Sequence, residues 1–85
     1  MGKYRIELKK SVLKDFDSLS KKDLQRILVA IELLADDPRP PQSKKLSGMD
    51  QYRLRQGNYR ILYSIKHDLL IVFVVAVGHR KEIYR

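Results

Sequence analysis

Hydrophobic and polar positions change period several times along this chain, and each change marks an element. Residues 3–8, Lys-Tyr-Arg-Ile-Glu-Leu, alternate strictly, so Tyr4, Ile6 and Leu8 share one face and charges the other, which predicts a half-buried strand. The period then lengthens. Val12, Leu13, Phe16 and Leu19 fall at helical spacing, with Lys9, Lys10, Lys14, Asp15 and Asp17 on the remaining arc, and predict a short amphipathic helix. Ser20 with Asp23 three residues on is an N-cap signature, and Leu24, Ile27, Leu28, Ile31, Leu34 and Ala35 continue as the stripe of a longer second helix. Asp36-Asp37-Pro38-Arg39-Pro40-Pro41 ends it, because proline lacks the amide donor and pushes its predecessor out of the α region. A loop is predicted from there to about Gly48.

Strict alternation returns at residue 52. Tyr52 and Leu54 alternate with Arg53 and Arg55, Gln56-Gly57-Asn58 suits a tight turn, and Tyr59, Ile61, Tyr63 and Ile65 alternate with Arg60, Leu62, Ser64 and Lys66. This is the pattern of a β-hairpin. After a second turn at Lys66-His67-Asp68, the run Leu69–Val77 is apolar on both faces, as expected of a strand with neighbours on either side and a helix layer against it. The predicted order is β-α-α-β-β-β: a single α+β domain over residues 1–85, with an antiparallel-rich sheet packed against two N-terminal helices.

Composition narrows the possible chemistry. A chain of 85 residues supports one modest core, and with no cysteine and only His67 and His79 it offers no disulfide framework and no structural zinc site. The first residues contain no apolar export core, and the longest apolar run falls far short of the roughly 20 residues that span a bilayer, so a soluble cytoplasmic protein is expected. The net charge of +8 is unevenly placed: residues 1–37 hold eight Lys/Arg against seven Asp/Glu, and residues 38–85 hold ten against three. A positive second half suits a polyanionic partner, nucleic acid first of all.

Arg53 and Arg55, two apart on a predicted strand, share a face, and Arg60 lies just across the turn. His79, Arg80 and Tyr84 arrive from the end of the apolar strand, and Lys44, Lys45 and Lys81 are further candidates for phosphate contact. The set lacks a carboxylate pair, a metal cluster, a nucleophile with its base and a glycine-rich phosphate loop, so hydrolase, kinase and nucleotide-binding classes find no support. It does suit RNA cleavage by the substrate's own 2′-hydroxyl, where the protein must align the nucleophile, stabilise charge on the phosphorane and protonate the leaving oxygen. Arginine supplies fixed charged donors but is a poor general base, so proton transfer falls to His79 or Tyr84 as candidates.

Lys45-Leu46-Ser47-Gly48, Tyr52-Arg53-Leu54-Arg55, Gly57-Asn58-Tyr59-Arg60-Ile61-Leu62-Tyr63 and Val77-Gly78-His79-Arg80 followed by Ile83-Tyr84 resemble, over nearly the whole chain, the RelE/ParE superfamily of toxin–antitoxin toxins, and within it the RelE-like mRNA interferases. The resemblance implies a microbial-RNase-like α+β fold that enters the ribosomal A site and cuts mRNA, leaving a 2′,3′-cyclic phosphate and a 5′-hydroxyl without metal or other cofactor. By position it implies that Arg53 and Arg55 are the family's two basic strand residues, Arg60 its phosphate-stabilising arginine, Arg80 its proposed general acid and Tyr84 its substrate-orienting tyrosine. It further implies a cognate RelB-like antitoxin that covers the basic surface. Two other functions fit the same residues: a ParE-like toxin that inhibits DNA gyrase by binding, and a basic module that grips RNA without cutting it.

Overall fold

The structure, a computed structural model, describes residues 3–46, 48 and 50–79. Strand β1 (Arg5–Leu8) leads into helices α1 (Lys10–Asp17) and α2 (Lys21–Leu33), and four strands follow: β2 (Ser43–Lys45), β3 (Tyr52–Gln56), β4 (Tyr59–Lys66) and β5 (Ile71–His79). They form one sheet in the order β1-β5-β4-β3-β2, parallel only between β1 and β5. Strand β2 is an addition to the predicted order. It is three residues long and lies inside the stretch expected to be loop, where it pairs Lys44 with Arg53 at the sheet edge.

The two helices cover one sheet face because their apolar stripes and every second strand residue meet there. Val12 of α1 and Ile27, Ala30 and Ile31 of α2, with Leu34 beyond, pack on Leu54, Ile61, Tyr63, Ile65, Val72, Val74 and Val77. Leu13 and Leu28, expected on those stripes, lie at their margins and remain exposed. Ser20 caps α2 as the sequence predicts, its Oγ accepting from the Asp23 amide at 3.1 Å. The β3–β4 hairpin closes through Gly57 and Asn58, with Gly57 at φ +59°, the left-handed backbone that a two-residue hairpin with glycine first requires. An irregularity in the β4–β5 ladder, where Leu62 faces Ala76 but Tyr63 faces Val74, leaves Val75 as an extra residue. Beyond it the side-chain phase of β5 is inverted.

A 3₁₀ turn at His67–Leu69 ends on Leu70, whose φ of 53° and ψ of 50° are left-handed, a conformation that costs a branched L-residue about 1–2 kcal/mol. Leu70→Asn, which tolerates this backbone, is therefore expected to stabilise the chain by about 1 kcal/mol, read as a higher denaturant midpoint in urea unfolding. An unchanged or lower midpoint would show that the half-exposed Leu70 side chain contributes more than its backbone costs.

A candidate phosphate-binding face

Strand register determines which side chains share the helix-free face. Leu54 and Ile61 point into the core, so their neighbours Arg53, Arg55 and Arg60 project the other way. One row across the sheet holds Lys44, Arg53, Leu62 and Ala76; the next holds Arg55, Arg60 and Gly78. Three guanidinium groups and an ammonium are thus carried by two adjacent rows. At the edge, a cavity of about 300 Å³ lined by Pro41, Gln42, Lys44, Arg53 and Arg55 extends the basic surface.

Arg60 is the unusual member. Only 6% of it is exposed, and its Nε and Nη1 have no hydrogen-bond partner among the described residues. Buried donors are nearly always paired, and leaving them bare costs on the order of 1–3 kcal/mol, more when the group is charged. Its cross-strand partner is Arg55, a like charge where a sheet gains most from an opposite one, and on its other side is Gly78, which adds no side chain against it. Among the described residues no hydrogen bond to Nε or Nη1 offsets that arrangement.

The other predicted residues divide. Lys44 joins the basic face, whereas Lys45, opposite Tyr52, belongs to the helix side. His79, expected beside the arginines, is instead on the helix side opposite Tyr59, because the extra residue Val75 inverts the phase. Its ring meets that of Tyr59 edge to face at 5.9 Å and 78°. Arg80, Lys81 and Tyr84 lie outside the described residues. Tyr63 is fully buried and stacked on Tyr52, and Tyr52 and Tyr59 are half-buried, so these tyrosines serve the core and its rim. Among the described residues no cluster of three His, Asp or Glu could hold a metal, and no helix is long and apolar enough to cross a membrane.

Two carboxylates at this end of the sheet had no counterpart among the predicted site residues. Asp23 Oδ2 accepts from the Tyr59 hydroxyl at 3.0 Å, and Asp15 Oδ2 accepts from the Val77 amide at 3.1 Å. Asp23 is recognisable from sequence only as a helix-cap partner. Asp15 carries no signal at all, since its contact spans 62 residues.

The chain is thus a small α+β domain: a five-stranded sheet with a helix layer on one face and clustered arginines on the other. Comparison with known proteins makes this specific. Residues 6–84 match the family described as the ParE toxin of the type II toxin–antitoxin system parDE. A protein of Methanocaldococcus jannaschii named as the toxin RelE1 is 32% identical, the match covering 98% of this chain and 97% of that one. The mRNA interferase toxin RelE of Escherichia coli is 29% identical over 95% of this chain and 90% of its own. Among solved structures, the archaeal RelE–RelB complex from Pyrococcus horikoshii superposes with a TM-score of 0.84 at 30% identity, covering 94% of this chain and 98% of that chain. The chain belongs to the RelE/ParE superfamily of toxins of type II toxin–antitoxin systems.

Proposed function

We propose that this toxin is a ribosome-dependent endoribonuclease that cuts mRNA through attack of the message's own 2′-hydroxyl, leaving a 2′,3′-cyclic phosphate and a 5′-hydroxyl. The observation that carries this is Arg60, a buried guanidinium with bare Nε and Nη1 set between Arg55 and Gly78. The oxygens of a phosphodiester would supply acceptors for these donors. Charge rises on those oxygens as the phosphorane forms, so donors fixed in advance stabilise the transition state more than the ground state. Arg55 flanks the same phosphate, while Arg53 and Lys44 hold the adjoining backbone.

The nucleophile comes from the substrate, so no bound metal is needed to generate it. The roles of Arg80 as general acid and Tyr84 as the residue that orients the substrate rest on their match to the family pattern, and Lys81 is a backbone contact by its charge alone. The name of the Escherichia coli relative, an mRNA interferase, supports the same activity, and the Pyrococcus complex supports a RelB-like antitoxin as the cognate partner. On this reading the protein acts in the cytoplasm, with the ribosome and its message.

Cleavage of a programmed mRNA on ribosomes tests the proposal. The wild type is expected to cut within the A-site codon and leave ends that only 2′,3′-cyclic phosphate chemistry produces, whereas Arg55→Ala is expected to cut on the order of 10²-fold more slowly. The family description matched by the chain also names ParE, for which inhibition of gyrase by binding is the second function. Blocked supercoiling by gyrase with an intact message would establish that one. Binding of RNA with a steep salt dependence and no cut would reduce the protein to a phosphate-gripping module.

A further inference from the structure

The helix layer is tied to strands β4 and β5 by carboxylates at the end that carries Arg60. β1 stops at Leu8, opposite Val74, so the Val77 amide of β5 extends beyond any strand neighbour on that side and takes Asp15 of α1 instead. On β4, Tyr59 is adjacent to Arg60 in sequence, points to the opposite face, and donates its hydroxyl to Asp23 of α2. The Asp23 amide is meanwhile held by the Ser20 cap, so its carboxylate is carried on an anchored first turn. The Tyr59 and His79 rings meet edge to face between these two ties. Together they hold the strand ends on which Arg60 and Gly78 face each other.

We infer that Asp15 and Asp23, with Tyr59, are positioning residues: two helix-borne carboxylates that fix β4 and β5 from beneath and so aim the Arg60 guanidinium on the opposite face. The inference rests on Arg60 being the phosphate site. With no partner at Nε or Nη1 among the described residues, the Arg60 head is not oriented by hydrogen bonds at those atoms. Its direction comes from its backbone, and the backbone here is held by Tyr59 on β4 and by Val77 on β5. A shift of strand position of a fraction of an ångström moves a donor off a developing oxyanion, which is costly in rate while leaving ground-state binding nearly untouched.

The test uses the whole chain and steady-state cleavage of mRNA on programmed ribosomes. Tyr59→Phe, Asp23→Ala and Asp15→Ala are each expected to lower kcat about tenfold with KM for ribosomes unchanged. Asp23→Asn and Asp15→Asn, which keep an acceptor oxygen, are expected to return to within about twofold of wild type, and the Tyr59→Phe/Asp23→Ala double variant to be no slower than either single. Retained kcat in the alanine variants, or additive losses in the double, would overturn the inference. A readout independent of catalysis is the Arg60 Nε–Hε resonance in ¹⁵N-labelled protein, expected to shift in Tyr59→Phe and Asp23→Ala and to stay near its wild-type position in Asp23→Asn. An Arg60 resonance that ignores all these substitutions overturns the positioning role even if the message is cut. A message left uncut by the wild type refutes the nuclease, while the resonance still decides the tie.

Discussion

Arg60→Met is expected to make the protein more stable and nearly inactive at once. The methionine fills similar volume, removes two bare donors and a buried charge, and ends the like-charge pairing with Arg55. Replacing buried charges with apolar side chains of similar size is often stabilising by about 1–4 kcal/mol. In an 85-residue domain each kilocalorie corresponds to roughly 4–8 °C in Tm, so thermal unfolding should resolve the gain easily. Cleavage on ribosomes should fall on the order of 10²–10³-fold, the usual loss on removing one donor to a developing oxyanion. A protein that melts lower and cuts normally would mean that Arg60 is a structural cation, and the site would have to be sought elsewhere. The opposite pair of results separates function from folding in a single substitution, because stability given up for activity is the signature of a working site.

Much of this could be read from the sequence because local pattern and tertiary environment agree. The alternation of residues 3–8, the Ser20–Asp23 cap, the proline stop and the Gly57-Asn58 turn all act within a few residues, and all appear where the pattern puts them. The hairpin then places Arg53, Arg55 and Arg60 on one face without long-range information, since register follows from a two-residue turn. What escapes the pattern depends on distant partners. β2 is too short to alternate and forms only because β3 offers an edge. His79 shows the effect of a single inserted residue: counting by twos from Val72 and Val74 would put it with the arginines, and the extra Val75 sends it to the helices instead. No residue type marks that bulge, because Val74, Val75 and Ala76 are equally good strand residues. The same phase change brings Val77 into the core and turns its amide toward Asp15. One irregularity therefore removes a candidate acid–base group from the basic face and creates a tie between the helix layer and the strand that leads to residue 80.

Tyr63 offers the largest stability effect and a pH signature of its own. The side chain is fully buried at the centre of the sheet, stacked on Tyr52 at 5.7 Å, and its hydroxyl donates to the Pro38 carbonyl at 2.6 Å. It thereby joins β4 to the proline-rich segment that follows α2. Tyr63→Ala is expected to cost about 3–5 kcal/mol, a large share of the stability of a domain this small. Tyr63→Phe removes only the hydroxyl and leaves a carbonyl short of its donor, for about 1–2 kcal/mol. Burial pushes the Tyr63 hydroxyl up to about 12 from its ordinary 10.0. A folded-state pKa above the unfolded one means that the protonated phenol is favoured by folding. That contribution is whole below about pH 10 and is lost as pH rises through about 12, amounting to about 3 kcal/mol in full. Tyr63→Phe has no such titration. Urea unfolding of the two proteins side by side should therefore show wild type ahead at pH 8, the gap closing above pH 10, and the phenylalanine variant level or ahead near pH 12. A gap that stayed constant across that range would mean that Tyr63 ionises as readily in the fold as in the open chain, which its burial and its bond to Pro38 both oppose.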